Sequence, residues 1–301
     1  MAFKHWLAAA RLRTLPLAAA SALCGSVSAA LNQQSNPPVL VLCVMTAVAL
    51  QIFSNLANDY GDACNGADSA ARRGPERMVG AGHISRTAMK RGLVAAAVIC
   101  CALGISLLAA ALPSIGMSGL QNWLLWLLLG AAAVAAAFAY TAGKNPYGYV
   151  GLGDLAVLVF FGWLGVLGCE YLQTGRLNTW SWLPATALGL WCSMVLNINN
   201  MRDIDSDSAA GKTTVAVRLG LRRAKLYHTA LLAAAGLMWW RWLPRYFSTT
   251  SVSRLHAFLL AASLIHLYFL KKAQSCAQLD KLLPQWSITV LLWVLLLWLH
   301  V

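Results

Sequence analysis

Residues 51–77 read QIFSNLANDYGDACNGADSAARRGPER, a stretch that begins inside a long apolar segment and ends in a basic loop. Four of its polar residues are spaced i, i+3, i+4 and i+7, namely Asn55, Asn58, Asp59 and Asp62. On a helix this spacing places them on one face. Four polar side chains at the end of an apolar helix are costly to desolvate unless they bind something there. The stretch therefore predicts a helix that ends in a binding site.

A second stretch of the same character, NINNMRDIDSD, occupies residues 197–207. Its Asp203 and Asp207 are four residues apart, so they also share a helix face. Together the two stretches hold seven of the ten acidic residues in the chain: Asp59, Asp62, Asp68, Glu76, Asp203, Asp205 and Asp207. This concentration of acids in an apolar chain is the main indication of function.

The composition identifies an integral membrane protein. Of 301 residues, 59% are hydrophobic and 11% are charged, whereas soluble domains carry roughly 25% charged residues. Because a membrane-spanning helix needs about 20 apolar residues, we predict an all-α bundle around a central cavity, in one domain (1–301). The nine predicted spans are 14–31, 38–58, 88–112, 120–141, 150–172, 181–201, 225–243, 255–270 and 283–300. Taken together, the last three are rich in leucine and tryptophan, and we expect their tryptophans to anchor them at the membrane interfaces.

The net charge of +13 would suggest nucleic acid as a partner of a soluble protein, but here the positions of the cations indicate topology instead. Nine spans place 19 of the 23 Lys and Arg residues on one side: Lys4, Arg11, Arg13, Arg72, Arg73, Arg77, Arg86, Lys90, Arg91, Lys144, Arg202, Lys212, Arg218, Arg222, Arg223, Lys225, Lys271, Lys272 and Lys281. The positive-inside rule then predicts a cytoplasmic N-terminus, an outer C-terminus, and cytoplasmic loops at about 59–87 and 202–224. We expect membrane lipid, and no nucleic acid, around this chain.

The carboxylates and the cations of these loops together indicate a diphosphate clamp. Paired carboxylates repel each other unless a cation lies between them. Hard oxygen ligands with amides nearby suit Mg²⁺, which often keeps some waters and shares phosphate oxygens with a substrate. The same loops carry bases that suit phosphate, namely Arg72, Arg73, Arg77, Lys212, Arg218 and Arg222.

A third informative stretch, KNPYGYVGLGD, spans residues 144–154. Its three glycines and its proline predict a break between the fourth and fifth spans. Asp154 then lies about one turn into a membrane helix, where a carboxylate is costly without a function.

These motifs resemble those of the UbiA-type intramembrane prenyltransferases, and the likeness covers nearly the whole chain. It rests on Arg11 with Thr14-Leu15-Pro16, and on NLANDYGDACNGAD with GPER, NPYGYVGLGDLAVLVFFG and NINNMRDIDSDSAAGKTTVAVRLG. The resemblance implies Mg²⁺ as cofactor, with metal ligands at Asp59, Asp62, Asp203 and Asp207. It implies diphosphate binding by Arg72, Arg77 and Lys212, to which we add Asn58.

The sequence departs from the family pattern at two points. A third Asp that is frequent in the family is Gly66 here, and Asp68 is a candidate replacement. The family's R-P-x-T pattern reads Arg11-Leu12-Arg13-Thr14, without the proline.

The resemblance implies transfer of a polyprenyl group from polyprenyl diphosphate to 1,4-dihydroxy-2-naphthoate, with loss of CO₂. The product would be demethylmenaquinone or its reduced form, demethylmenaquinol, in menaquinone biosynthesis at a bacterial inner membrane. The acceptor ring must be electron-rich, so we predict Asp154 as the general base and Lys144 as the partner of the substrate carboxylate. We predict that the acceptor ring stacks on Tyr140, Tyr147 or Tyr149. We also predict substrate contacts with the amide groups of Asn55, Asn199 and Asn200.

Three other functions are typical of proteins that share part of this sequence pattern. A 4-hydroxybenzoate prenyltransferase would share the Mg²⁺ clamp and differ in the acceptor. A CDP-alcohol phosphatidyltransferase expects D-x-x-D-G-x-x-A-R, but Ala63 follows Asp62 here, which disfavours it. A cation transporter would also use paired intramembrane acids, and cation flux in proteoliposomes without a prenyl donor would favour it.

Overall fold

The computed structural model describes residues 3–66 and 74–301. All secondary structure in these ranges is helical, with no β-strand, so the all-α prediction is confirmed. The helices are α1 (Phe3–Ala10), α2 (Leu15–Leu31), α3 (Pro37–Cys64), α4 (Arg86–Ser114), α5 (Leu120–Ala139), α6 (Gly153–Thr174), α7 (Trp182–Arg202), α8 (Ile204–Ala209), α9 (Val215–Trp242), α10 (Thr249–Lys272) and α11 (Cys276–Trp298).

Eight helices in the described residues are long and apolar enough to cross a membrane, which agrees with a multi-pass membrane protein. They are α1 and α2 counted together, α3, α4, α5, α6, α7, α10 and α11. The predicted span 225–243 coincides with α9 as far as Trp242, and this helix is long enough but is not among the eight. Lys225, His228 and Arg241 lower the hydropathy of α9, and its backbone kinks at Gly220 (φ 70°).

Side-chain caps fix where several helices begin. Asn36 accepts the backbone N–H of Val39 at the start of α3, which satisfies a donor that a helix start leaves free. Before α11, Ser275 and Gln278 form a reciprocal capping box. This box sets the first turn of α11, and Asp280 follows directly after that turn.

Helices α6 and α7 are in backbone contact because glycines face each other. A Cβ at Gly162 would lie 2.6 Å from the carbonyl oxygen of Ala185 and 3.0 Å from the Cα of Gly189. Within α6, residues Leu158–Leu167 form a π-helical segment. Such widened turns are frequent near functional sites, and this one follows the first turn of α6, where Asp154 lies.

Tryptophans fill the core between α7, α9 and α11. Trp239 and Trp293 are 0% exposed, Trp242 is 1% exposed and Trp286 is 2% exposed. Each ring packs against Trp191 or against another member of the group, at centroid distances of 5.2–5.8 Å. The expectation that the tryptophans of the last three spans anchor at the membrane interfaces is therefore wrong for these four. Their large apolar area packs helix against helix instead.

The opposite flank of the bundle is thinly covered by protein. Within α5, Ala133 is the only buried residue, while Leu120 and Leu128 are 74% and 68% exposed. In a membrane this surface contacts lipid, which solvates leucine as well as protein does.

Polar contacts mark two ends of the bundle. At one end, Gln173 of α6 donates to the hydroxyl of Ser26 in α2 at 2.7 Å. At the other end, Arg13, just before α2, contacts Asp280 of α11 at 2.9 Å. The acidic stretches belong to the second end, where α3 and α7 terminate.

Candidate active site

Three polar stretches that are distant in sequence meet where α3 and α7 end. The Asn65 amide donates to the carbonyl oxygen of Thr141 at 2.8 Å, which joins the first acidic stretch to the turn before α6. The backbone N–H of Thr213 donates to the carbonyl oxygen of Tyr149 at 2.7 Å, which joins that turn to the loop after α8. A Cβ at Gly61 would lie 2.6 Å from the Thr141 carbonyl oxygen, so glycine lets the turn rest directly on α3.

Asp62 is the centre of this site and is 0% exposed. Its Oδ2 accepts from Arg77 at 2.5 Å, and its Oδ1 accepts from the Tyr149 hydroxyl at 2.9 Å. Lys212 donates to the same Oδ1 at 3.0 Å. Because Arg77 and Lys212 are also buried, each charge compensates another that would be costly alone. Asp62 thus gathers one residue from each of three segments.

Lys212 bridges the two acidic stretches. Its Nζ lies 3.0 Å from Asp62 and 3.5 Å from Oδ1 of Asp207. The same ammonium lies 4.5 Å from the centre of the Tyr149 ring, a cation–π distance. The expectation that the two stretches lie together is confirmed, and the buried carboxylates have a positive charge between them.

Asp59 is held mainly by backbone groups. Its two oxygens accept the N–H groups of Met78 and Val79, both at 2.9 Å. These bonds fold the chain after residue 74 back over the end of α3. A carboxylate has about four lone-pair sites, so each oxygen retains capacity for a further ligand.

Asp203 is held by a guanidinium fork. Arg202 donates to it through Nε at 2.8 Å and through Nη2 at 2.6 Å. Arg202 also donates through Nη2 to Asn199 at 2.7 Å and through Nη1 to Asp280 at 2.5 Å. Sequence reasoning missed Asp280, and it counted Arg202 only as a topology signal. The sequence feature that could have indicated Asp280 is its position as an isolated acid at the start of an apolar span, on the side of the membrane that is rich in Lys and Arg.

A cleft of about 470 Å³ opens beside these residues, between α1, the chain at 75–78 and the end of α7. The charged residues that line it are Arg11, Arg13, Asp59, Glu76, Arg77 and Arg202. Because cations outnumber acids on its walls, the cleft favours an anionic ligand.

The oxygen donors of the site fit a shared divalent cation. No three His, Cys, Asp or Glu side chains form a metal-binding group in the part of the chain that the structure describes. Mg²⁺ usually takes one or two protein carboxylates and completes its shell with waters and phosphate oxygens. Carboxylates from both stretches already face a common cation, the Nζ of Lys212. The residues present therefore suit Mg²⁺ held between the stretches together with a diphosphate.

Asp154, the predicted base, lies in the first turn of α6 and accepts from the Tyr227 hydroxyl at 3.1 Å. Tyr140 is its neighbour, because a Cβ at Gly153 would lie 2.8 Å from the Tyr140 hydroxyl. Burial raises the pKa of Tyr140, and the negative charges of Asp154, Asp62 and Asp207 raise it further. The neutral Tyr140 phenol is therefore close enough to interact electrostatically with the predicted base, Asp154, and with two predicted metal ligands, Asp62 and Asp207.

The other predicted acceptor-side residues surround the same turn. Tyr147 donates to the carbonyl oxygen of Ala136 at 2.9 Å, and its ring lies 5.4 Å from that of Tyr140. Burial raises the pKa of Tyr147 to about 12. Lys144 is exposed and makes no hydrogen bond or ion pair within residues 3–66 and 74–301. Its contact with a substrate carboxylate stays a prediction.

Two of the predicted asparagines have structural partners. The Asn55 amide donates to the carbonyl oxygen of Ala10 at 2.8 Å and to the Thr14 hydroxyl at 3.1 Å, which ties α3 to the chain before α2. Asn58 accepts from the Thr141 hydroxyl at 3.0 Å. Their predicted contacts with substrate and diphosphate stay predictions.

The remaining predicted site residues divide into two groups. Asn199 accepts from Arg202 beside Asp203, and Asn200 is buried near the end of α7. The predicted diphosphate ligand Arg72 and the candidate third acid Asp68 lie outside the described residues.

A membrane-crossing helical bundle with paired acids and a cationic cleft at one end defines a class of intramembrane transferase. The chain belongs to the UbiA prenyltransferase family, whose sequence profile matches residues 18–295.

Within that family, the chain is 48% identical to a 1,4-dihydroxy-2-naphthoate octaprenyltransferase of Escherichia coli over 227 residues, 75% of this chain and 72% of that protein. It is 42% identical to the protein of the same name in Haemophilus influenzae over 296 residues, 96% of this chain and 92% of that protein. Its fold is similar to that of a UbiA homolog from Archaeoglobus fulgidus bound to GPP and Mg²⁺. The TM-score is 0.62 at 15% identity, and 98% of each chain is covered.

Proposed function

We propose that this protein transfers a polyprenyl group from polyprenyl diphosphate to 1,4-dihydroxy-2-naphthoate, with loss of CO₂, to give demethylmenaquinol, the reduced form of demethylmenaquinone. The observation that carries the proposal is the buried Asp62–Lys212–Asp207 bridge, which joins both acidic stretches beside an arginine-lined cleft. The relatives named 1,4-dihydroxy-2-naphthoate octaprenyltransferase support this acceptor over 4-hydroxybenzoate.

The donor side of the reaction would take place at the acidic pairs. Mg²⁺, when bound by Asp59, Asp62, Asp203 and Asp207, would supply positive charge to the leaving diphosphate. Arg77 and Lys212, which lie 2.5 and 3.0 Å from Asp62, would donate to the oxygens of the same diphosphate. Arg72 and Asn58 would add further donors. These groups stabilise the negative charge that develops as the bond between oxygen and prenyl carbon breaks.

The acceptor side would lie around the turn before α6. Asp154 would take the phenolic proton of the naphthoate, which makes the ring a better nucleophile for the allylic carbon. A new carbon–carbon bond then forms to the ring, and the carboxyl group leaves as CO₂. Tyr140, Tyr147 and Tyr149 would orient the ring, while Lys144, Asn55, Asn199 and Asn200 would contact its polar groups. An apolar wall on the bilayer side would hold the prenyl tail and exclude water.

We also propose the membrane arrangement. In this arrangement α9 crosses the membrane in addition to the eight helices above, which makes nine crossings. The N-terminus and both acidic stretches face the cytoplasm, and the C-terminus lies outside, in a bacterial inner membrane. The distribution of the Lys and Arg residues supports this orientation. Lys225, which follows the kink of α9, donates to the carbonyl oxygen of Ala273 after α10 at 2.6 Å. This contact supports α9 and α10 as antiparallel neighbours around a central cavity.

The test is a product assay by mass spectrometry with purified protein, Mg²⁺, 1,4-dihydroxy-2-naphthoate and prenyl diphosphates of several lengths. We expect inorganic diphosphate and a prenylated product that lacks the carboxyl group. The Asp62→Asn variant, with the charge removed at the centre of the site, is the inactive control. Product with 4-hydroxybenzoate but not with the naphthoate would identify 4-hydroxybenzoate as the acceptor. No product with either acid would refute the proposal that the protein is a prenyltransferase.

A further inference from the structure

An acid of the last helix reaches the site through a series of four ion-paired residues, Arg13, Asp280, Arg202 and Asp203. Arg13 donates to the two oxygens of Asp280 at 2.9 and 3.0 Å. Arg202 lies 2.5 Å from the same carboxylate and holds Asp203 on its other side. The series connects the chain before α2, the start of α11 and the end of α7.

Arg202 is the buried link of this series, with a side chain 1% exposed. Each of its guanidinium nitrogens has an acceptor: Nε bonds to Asp203, Nη1 to Asp280, and Nη2 to Asp203 and Asn199. A buried guanidinium needs this full set, because an uncompensated charge is costly to desolvate. Without Asp280, Asp203 would be the only carboxylate bound to Arg202 in the part of the chain that the structure describes.

Charge balance shows what Asp280 contributes. With Asp280 present, two guanidinium groups face two carboxylates. Without it, Arg13 would lose the carboxylate that it contacts, and Arg202 would face Asp203 as its one carboxylate partner among the described residues. Arg202 would then hold Asp203 more firmly and compete with any other cation for its oxygens.

We propose that Asp280 is a positioning residue for the second acidic stretch, an inference that rests on the proposed function because Asp203 is a proposed metal ligand. Asp280 draws Arg202 toward α11, so that Asp203 can offer an oxygen to a divalent cation. Arg202 meanwhile stays on the wall of the cleft, where it can meet a diphosphate. The carboxylate of Asp280 acts through Arg202 and does not itself contact the reacting groups.

The experiment compares wild type with Asp280→Asn, which keeps the shape and one oxygen acceptor but removes the charge. Thermal unfolding is followed by tryptophan fluorescence while MgCl₂ is titrated in the presence of inorganic pyrophosphate. We expect the Mg²⁺ concentration for half-maximal stabilisation to rise on the order of tenfold, as is typical when a residue supporting a metal ligand is altered. The KM for prenyl diphosphate should rise in parallel, with a smaller change in kcat.

Two further variants separate positioning from a general structural effect. Asp280→Glu keeps the charge and should restore the Mg²⁺ dependence. Asp205→Asn removes an exposed acid from α8 and should leave that dependence unchanged. If Asp280→Asn lowers stability but keeps the wild-type Mg²⁺ dependence and KM, the positioning role is refuted.

Should Asp280→Asn fail to fold, Arg13→Lys tests the same series from its other end. This variant keeps the positive charge on the cleft wall but not the two-oxygen contact with Asp280, so the half-maximal Mg²⁺ concentration should not rise. A tenfold rise in this variant would overturn the inference. Failure of the proposed function is a separate result, because it would appear as wild-type protein that makes no prenylated product.

Discussion

Replacing Lys212 with methionine tests the site directly. The Lys212 ammonium lies 3.0 Å from an oxygen of Asp62 and 3.5 Å from an oxygen of Asp207, so those oxygens are at most about 6.5 Å apart. Methionine keeps an unbranched apolar chain but removes the charge, which leaves two buried carboxylates facing each other. At an effective dielectric constant of about 20, two like charges at this distance repel by about 2.5 kcal/mol.

The metal-free Lys212→Met protein should therefore have a free energy of unfolding lower than wild type by about 2–3 kcal/mol. Mg²⁺ should recover a larger share of stability in the variant than in wild type, because a divalent cation would again compensate both carboxylates. Prenyl transfer should fall by about 10²-fold, the typical loss when one donor to a developing negative charge is removed.

The assay is SDS-induced unfolding in mixed micelles, followed by tryptophan fluorescence, with either EDTA or MgCl₂ present. Lys271→Met is the matched control, because it removes an exposed lysine at the end of α10, and it should behave as wild type. If Lys212→Met is as stable as wild type in EDTA, or if Mg²⁺ stabilises both equally, the bridge is not the electrostatic centre of the site.

Three further outcomes follow from the geometry. Gly61→Ala should destabilise the protein by about 1–3 kcal/mol, since a Cβ there would lie 2.6 Å from the carbonyl oxygen of Thr141; an unchanged thermal midpoint would contradict this contact. Asp154→Asn should lower kcat by about 10²–10⁴-fold with little change in the KM for prenyl diphosphate, and near-normal turnover would exclude the base role. The raised pKa of Tyr147, about 12, means that the folded state holds this proton more tightly than the unfolded state. Its contribution to stability is complete below about pH 10 and is lost as pH rises toward 12, so Tyr147→Phe should weaken the alkaline decline measured by unfolding.

The sequence predicted structure correctly where nearby residues alone determine the free-energy cost of burying polar groups. Apolar runs of spanning length predicted the helices, because backbone groups in lipid must bond within the same segment. The i, i+3, i+4 spacing predicted which polar residues of α3 share a face. The same reasoning predicted a cation between the paired carboxylates, since acids inside apolar spans need one. That Lys212 itself lies between Asp62 and Asp207 is a finding of the structure.

What the sequence left open depends on contacts between distant segments. Asp280 lies 78 residues from Arg202, and no local pattern joins them. Tyr227 likewise reaches Asp154 from α9. The usual position of tryptophan predicts that Trp239, Trp242, Trp286 and Trp293 lie at the membrane surface. Packing of their rings on Trp191 and on one another places these four inside.

Most of α5 is exposed to lipid, and this helix supports the turn on the acceptor side of the site. This helix buries one residue, Ala133, yet its end leads into the turn that holds Tyr140 and Thr141. In a bilayer, a tilt of α5 exchanges leucine–lipid contacts for others of equal quality, so its lipid-facing side offers little resistance to the movement. A long isoprenoid could therefore slide in beside α5 by displacing acyl chains, while the tryptophan-packed half of the molecule stays still.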